Sequence, residues 1–337
     1  MSAPTPSLPR RILVVRLGAI GDVANALVFA TAVKDARPDV RVGWVVHPLA
    51  APLVEGHPSV DCVHLWKRGG GLGEFRRVVR ELRDERYELA VDLQRIQKSS
   101  LLARLSGAPR VLGYDRARAK EGSWIWMRER IPPRELARPM VLHYLEFAAY
   151  LGIAVEEPRR VLPHVPDAER WADALVRELG GAPVLINVGA SKPLNRWLPE
   201  RFGELARALM EPSPGRLGGL VVCFTGGPDA DDRAAGGRAL AVAGTRARDL
   251  VGKTTLAQWI ALARRARLFV GCDTGPMHLA AAVETPVVAL FGPADPVRTG
   301  PYGAGHRVVR APDGRMEELG VAPVLEAVRA SLAVAAR

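Results

Sequence analysis

The sequence predicts an α/β fold: two doubly wound domains, each built on a parallel sheet, joined by one linker. Three observations carry this. Short apolar runs alternate with helical patterns along nearly all of the 337 residues, as strand–helix–strand units with right-handed crossovers require. The alternation breaks once, at the proline- and charge-rich stretch GIAVEEPRRVLPHVPDAER, which reads as an interdomain linker. Each half also carries a glycine-bearing turn between a strand and a helix, in VVRLGAIGDVANAL near the start and in LFVGCDTGPMHLAAAVETPVVALFGPADP near the end.

In chain order, strands are expected over 11–16, 42–46, 62–66, 89–93 and 111–114, alternating with helices over 23–36, 74–86 and 99–105. A helix near 142–151 precedes the linker. The second half repeats the scheme, with strands over 184–188, 220–225, 268–271 and 287–291 and helices over 200–210, 231–242, 256–266 and 277–283. An apolar-rich helix over 323–336 has no strand after it, and a place across the domain junction is expected for it. The expected domains are therefore 1–160 and 161–322, with 323–337 as a terminal helix.

Composition narrows the class. With 48% hydrophobic and 25% charged residues the chain reads as globular, and no apolar run approaches the roughly 20 residues of a membrane-spanning helix. The opening MSAPTPSLPRR has no signal-peptide apolar region, so a cytoplasmic protein is expected. Cys62, Cys223 and Cys272 lie far apart and form no CxxC pair, which suits reduced, structural thiols. The net charge of +11 raises the question of nucleic acid, but the arginines are scattered and aromatics are only 6%, unlike a stacking, basic binding stripe. An anionic small molecule or an anionic membrane face fits the charge instead.

Ligands of open α/β sheets bind beyond the carboxyl ends of strands, so the loops after Val15, Val188, Thr225 and Gly271 should line a cleft between two domains. At the first of these, Asp22 stands where a phosphate-binding turn would repel it, because a helix start attracts anions. The turn lacks the G-x-G-x-x-G of a nicotinamide dehydrogenase, having Gly18 and Gly21 followed by the acid. Helix capping is the plain reading of such an acid. The second turn suits a diphosphate better: Thr274 brings a hydroxyl, Gly275 permits close approach of the backbone, and His278 lies one turn inside the helix. A capping Asp273 or Thr274 with a helix-face His278 is the plainer alternative. INVGASKPLNRWLPERFGELARAL adds Ser191, Lys192 and Arg196 on another loop of the same domain, donors suited to phosphate oxygens. In FTGGPDADDR, Asp229 and Asp231 have the spacing of a metal-binding pair, although acids at a helix start are commonplace and capping is the preferred reading.

Together RLGAIGDV, NRWLPERFGELARAL and the DTGPMHLAAA, TPVVALFGPADP and GPYG segments resemble the bacterial ADP-heptose:lipopolysaccharide heptosyltransferases, glycosyltransferase family nine, which have the two-domain GT-B architecture. VDLQRIQKSSLLARL followed by GYDRARAKEGSWIWMRERI is most similar to the type I members. The resemblance implies transfer of L-glycero-D-manno-heptose from ADP to the Kdo sugar of nascent lipopolysaccharide, with inversion and without a metal or other cofactor. It places the general base on Asp22, the donor on Asp273, Thr274, Gly275 and His278, a phosphate contact on Ser191 and the nucleotide end on Thr254. The family has lysine where this chain has Asn195; Lys192 is expected to supply the missing charge, with Arg196 beside it as the other donor-loop cation. A family acidic donor contact falls near Ala230, so its role either passes to Asp229 or Asp231 or is lost.

The implied acceptor carries a carboxylate and phosphates. Lys67, Arg68, Arg76, Arg77 and Arg80, around a glycine loop at 69–73, are candidate contacts, as are Lys98, Arg116 and Arg118. A solvated basic helix face explains such charges equally well. The implied partners are the ADP-sugar, a Kdo-lipid A type glycolipid and the anionic inner leaflet, with the chain a monomer at the cytoplasmic face of the inner membrane. The remaining alternatives are a family member with another donor or acceptor, and a sugar-nucleotide or glycolipid binding protein that has lost turnover with Asn195.

Overall fold

The structure is a computed structural model that describes residues 8–190, 192–212 and 219–334. It divides into two compact units between Pro163 and His164.

The first unit is built on β1 (Arg11–Val15), α1 (Ile20–Ala36), β2 (Arg41–Val46), β3 (Cys62–Leu65), α2 (Gly71–Asp84), β4 (Leu89–Asp92), α3 (Gln97–Leu105), β5 (Arg110–Gly113), β6 (Glu129–Arg130) and α4 (Met140–Tyr150). Its strands form one parallel sheet of order β3-β2-β1-β4-β5-β6. Valine and leucine fill β1 and β4 without alternation because helices cover both faces. α1 is buried on nearly every side, from Val23 to Val33, since it lies against the sheet and against α4. Gly43 of β2 makes room for a ring: a Cβ there would lie 1.7 Å from the Tyr87 hydroxyl. The expected glycine loop at 69–73 is shorter than the sequence suggests, because Gly71 opens α2 behind the positive φ of Gly69.

The second unit comprises α5 (Pro166–Glu178), β7 (Val184–Asn187), α6 (Pro199–Met210), β8 (Val222–Thr225), α7 (Ala230–Ala243), β9 (Arg248–Asp249), α8 (Leu256–Arg265), β10 (Leu268–Cys272), α9 (Gly275–Ala282), β11 (Val287–Phe291), α10 (Pro296–Thr299), β12 (Arg307–Arg310) and α11 (Val321–Val334). Its sheet is again parallel, in the order β12-β11-β10-β7-β8-β9. Part of the expected linker is helix: Pro166 takes the first position of α5, where a missing N–H costs nothing, with Asp167 and Glu169 in the first turn. The terminal helix packs on its own unit's sheet. Val324, Val328 and Leu332 recur every four residues and sink into the core with Phe202, Leu205 and Leu290. Cys223 and Cys272 are buried, and burial pushes each thiol up to about 12, which leaves them inert.

His57 ties residue 161 to the first unit. Its Nδ1 accepts from the Ser59 N–H at 3.0 Å and its Nε2 donates to the Val161 carbonyl at 3.0 Å, an arrangement that needs the neutral ring. Burial pushes the His57 imidazole below its ordinary value, against the Val161 bond. The unfolded chain therefore takes up this proton at higher pH than the folded one, and stability falls as pH drops below about 6.5. The melting temperature should be lower at pH 5.5 than at pH 7.5, and His57→Gln should lose less on the same acidification. Equal losses in the two proteins would show that His57 is not responsible.

Candidate active site

Each sheet reverses its winding at one point, and there the strand ends leave a crevice. In the first unit this lies between β1 and β4, whose ends are level, Val15 opposite Asp92. The turn after β1 is pinned from three sides. Arg16 N–H donates to the Val45 carbonyl at 3.3 Å, Leu17 N–H to Gln94 Oε1 at 2.6 Å, and the Leu17 carbonyl accepts from His47 N–H at 2.8 Å. Asp22 then falls on the third residue of α1. The cap position belongs to Ala19 and carries no side-chain cap, so the capping alternative for Asp22 does not hold. Its side chain, 41% exposed, forms an ion pair with Arg16, whose own side chain is 8% exposed.

Burial works against the Arg16 charge, but the Tyr144 hydroxyl and the carboxylates of Asp22 and Asp92 outweigh it and raise its pKa above the ordinary value. Asp92 is wholly buried, which pushes its carboxyl up, while Ser100, Ser99 and the N–H groups of Gln94 and Arg95 act in the opposite direction. Sequence reasoning gave Arg16, Gln94 and Asp92 no role. The signal was present in VVRLGAIGDV, where an arginine ends a buried strand six residues before the acid.

The expected acceptor cations are not one cluster. Lys67, Arg68, Arg76 and Arg80 are exposed around the start of α2, while Arg77 is tied to Glu74, Glu81 and the Leu65 carbonyl. Lys98 is exposed in the first turn of α3, and Arg116 stacks over the Trp124 ring at 4.8 Å. Arg118 is a correction. Its side chain is 1% exposed and its donors are committed to Asp115, Glu146 and the Pro132 carbonyl at 2.5, 2.5 and 2.7 Å, so it is a structural arginine rather than an acceptor contact.

In the second unit the reversal lies between β7 and β10, with Asn187 opposite Gly271. Asn187 links two loops, donating to the Gly189 carbonyl at 3.0 Å and accepting from Thr225 at 3.3 Å. Gly189 has to be glycine because a Cβ would lie 2.1 Å from Asp232 Oδ2, and the same carboxylate accepts from Gly227 N–H at 2.7 Å. Burial pushes the Asp232 carboxyl up. Thus Asp232 is the acid built into this loop pair. Asp229 caps α7, accepting from Asp232 N–H at 3.0 Å, and Asp231 points outward to Arg196 at 3.0 Å. Among the described residues no three His, Cys, Asp or Glu side chains gather in a metal-binding group.

On the loop after β7, Arg196 is held by the Ala190 carbonyl at 2.8 Å and by Asp231. Asn195 is buried, whereas Lys192 is exposed and forms no ion pair with a described residue. Ser191 lies outside the described residues. Thr254 is half-buried just before Thr255, which caps α8 in a reciprocal capping box with Gln258. After β10, Thr274 occupies the cap position of α9 without capping it; its hydroxyl donates to the Cys272 carbonyl at 3.2 Å. The Thr274 side chain thus leaves the first N–H groups of α9, those of Gly275 and, past Pro276, of Met277, without a bond from their own cap residue. Asp273 accepts from Thr299 at 3.2 Å, and His278 Nε2 stands 3.9 Å from its other oxygen. Asp273, Thr274, Gly275 and His278 thus lie together at the end of β10 and the start of α9.

Comparison with known proteins shows the family. The family model for glycosyltransferase family 9 (heptosyltransferase) matches residues 75–327. The chain is 31% identical to lipopolysaccharide heptosyltransferase 1 of Pseudomonas aeruginosa over 87% of this chain and 81% of that protein. It is 26% identical to the lipopolysaccharide core heptosyltransferase OpsX of Haemophilus influenzae over 89% of this chain and 84% of that protein. Among solved structures, the ADP-heptose lps heptosyltransferase II of E. coli superposes with a TM-score of 0.80 at 25% identity, covering 97% of this chain and all of that one (100%). The fold is GT-B-like, and the chain belongs to glycosyltransferase family 9, the heptosyltransferases.

Proposed function

We propose that the chain transfers heptose from ADP-L-glycero-D-manno-heptose to a Kdo residue of the lipopolysaccharide inner core, with inversion and without a metal. The observation that carries this reading is Asp22: a partly exposed carboxylate at the reversal point of the first sheet, paired with a buried guanidinium. An inverting transfer needs a base to take the acceptor hydroxyl's proton while that oxygen attacks the anomeric carbon opposite the leaving diphosphate. Asp22 fills this role. The leaving ADP is stabilised by the uncapped first turn of α9, the Thr274 hydroxyl and the Lys192 charge, with Ser191, Arg196, Asp273 and His278 completing the donor site. Asp232, half-buried against Gly189, stands beside them as the acid of this loop pair.

Lys67, Arg68, Arg76, Lys98 and Arg116 meet the anionic groups of the acceptor and the anionic inner leaflet, on which a monomer docks from the cytoplasm. The names of the related proteins support the donor and the class of acceptor, and no helix among the described residues is long and apolar enough to cross a membrane. Incubation with ADP-heptose and Kdo-lipid A, with and without chelator, should release ADP and add one heptose to the acceptor mass, and NMR of the product should show the inverted anomer. Tight ADP-heptose binding with no transfer would sink this reading in favour of a binding protein. Transfer abolished by chelator would sink its metal-free part.

A further inference from the structure

The first unit contains two buried arginines in opposite situations. Arg118 donates to Asp115, Glu146 and a backbone carbonyl, acceptors that belong to the fold. Arg16 donates through Nη2 to Asp22, while its Nε is buried with no hydrogen-bond partner among the described residues. The other nearby carboxylate, Asp92, is already occupied by the Ser100 hydroxyl and by the N–H groups of Gln94 and Arg95 at 2.9 and 3.4 Å. Asp22 is therefore the counter-ion of a charge placed below the crevice floor, and it makes no cap bond to its own helix. The backbone of Arg16 is fixed as well: its N–H is bound to Val45 and its carbonyl accepts from Trp44 Nε1 at 3.1 Å. A guanidinium so anchored sets the direction of whatever it holds.

We propose that Arg16 is a positioning residue for sugar transfer: it grips Oδ2 of Asp22 from beneath, so that the other carboxylate oxygen is presented to the acceptor hydroxyl. This rests on the reading of Asp22 as the base. In the step, the acceptor O–H bond breaks with its proton passing to the presented oxygen, the O–C bond to the anomeric carbon forms, and the bond from that carbon to the ADP oxygen breaks. Arg16 touches none of the reacting atoms.

The test is a cycle of Arg16→Met and Asp22→Asn, singly and together, with Arg16→Lys alongside, followed by single-turnover transfer and by KM for ADP-heptose. Arg16→Met should lower the rate of transfer by about 10–100-fold, the scale on which a misplaced catalytic group costs rate, with KM for the donor changed less than about twofold. Arg16→Lys should recover most of the loss. In the Asp22→Asn background Arg16→Met should cost nothing further, because a residue acting through Asp22 has nothing left to position. An equal loss in both backgrounds would overturn the proposal, as would unchanged transfer in Arg16→Met. Should Arg16→Met fail to fold, Arg16→Gln serves in the same cycle. Full transfer by Asp22→Asn alone would instead remove the base itself, a result distinct from any failure of Arg16.

Discussion

Asp22→Asn should lose heptose transfer by about 10²–10⁴-fold, the range that a positioned general base contributes, while still binding ADP-heptose. The substitution preserves shape and leaves an amide oxygen to accept from Arg16, so the turn after β1 keeps its bonds to Val45 and Gln94. What disappears is the ability to take a proton. The residues proposed to bind the donor, Asp273, Thr274, Gly275 and His278, belong to the other unit, whose core is its own, and calorimetric titration with ADP-heptose should give an unchanged affinity. Rapid-quench single turnover separates the chemical step from product release, which can mask it in steady state. A transfer rate within about threefold of the parent protein would remove Asp22 from the reaction, because it lies well outside that contribution.

The second large effect falls on stability. Arg118→Met should destabilise the protein by about 3 kcal/mol, the lower end of the cost of removing one partner from a buried ion pair. The lower end applies because Glu146 keeps Arg138 at 3.4 Å and His143 at 3.3 Å, whereas Asp115 keeps only backbone donors such as the Ala117 and Arg118 N–H groups. Burial opposes the Glu146 charge, yet the hydrogen bonds from His143 and Arg118 hold its carboxyl below the ordinary range. Stability from that shift is present above the unfolded value near 4.3 and is lost as pH falls through the lower folded value, so the deficit of Arg118→Met should shrink in acid. Urea unfolding at pH 7 and pH 4 measures both. If Arg118 were an acceptor contact instead, the variant would keep its unfolding midpoint and show a raised KM for the glycolipid.

Much of this molecule was legible before its structure. Short apolar runs flanked by helical patterns announced both sheets, and the glycine turns marked both reversal points, because backbone geometry and burial leave few other options there. The short edge strands β6, β9 and β12 were not legible. Arg110 and Glu129, for example, sit on neighbouring strands as an ion pair that no local pattern encodes. Charge was the least legible property. Arg116 and Arg118 are two residues apart and look interchangeable in sequence, yet one stacks on an indole at the surface and the other disappears among carboxylates. Asp229, Asp231 and Asp232 likewise take up a cap, a surface pair and a buried bond to Gly227, a division decided by the close approach of Gly189. Arg16 was overlooked because its value depends on Asp22, and only the turn brings the two together.

The two sheets share a winding scheme and reverse at corresponding places, yet each unit closes its own core. Even α11, the chain's last helix, seals the sheet of its own unit. Substitutions in the strand-end loops of one unit should therefore leave the fold of the other untouched, and a break near residue 163 would leave both folding units intact.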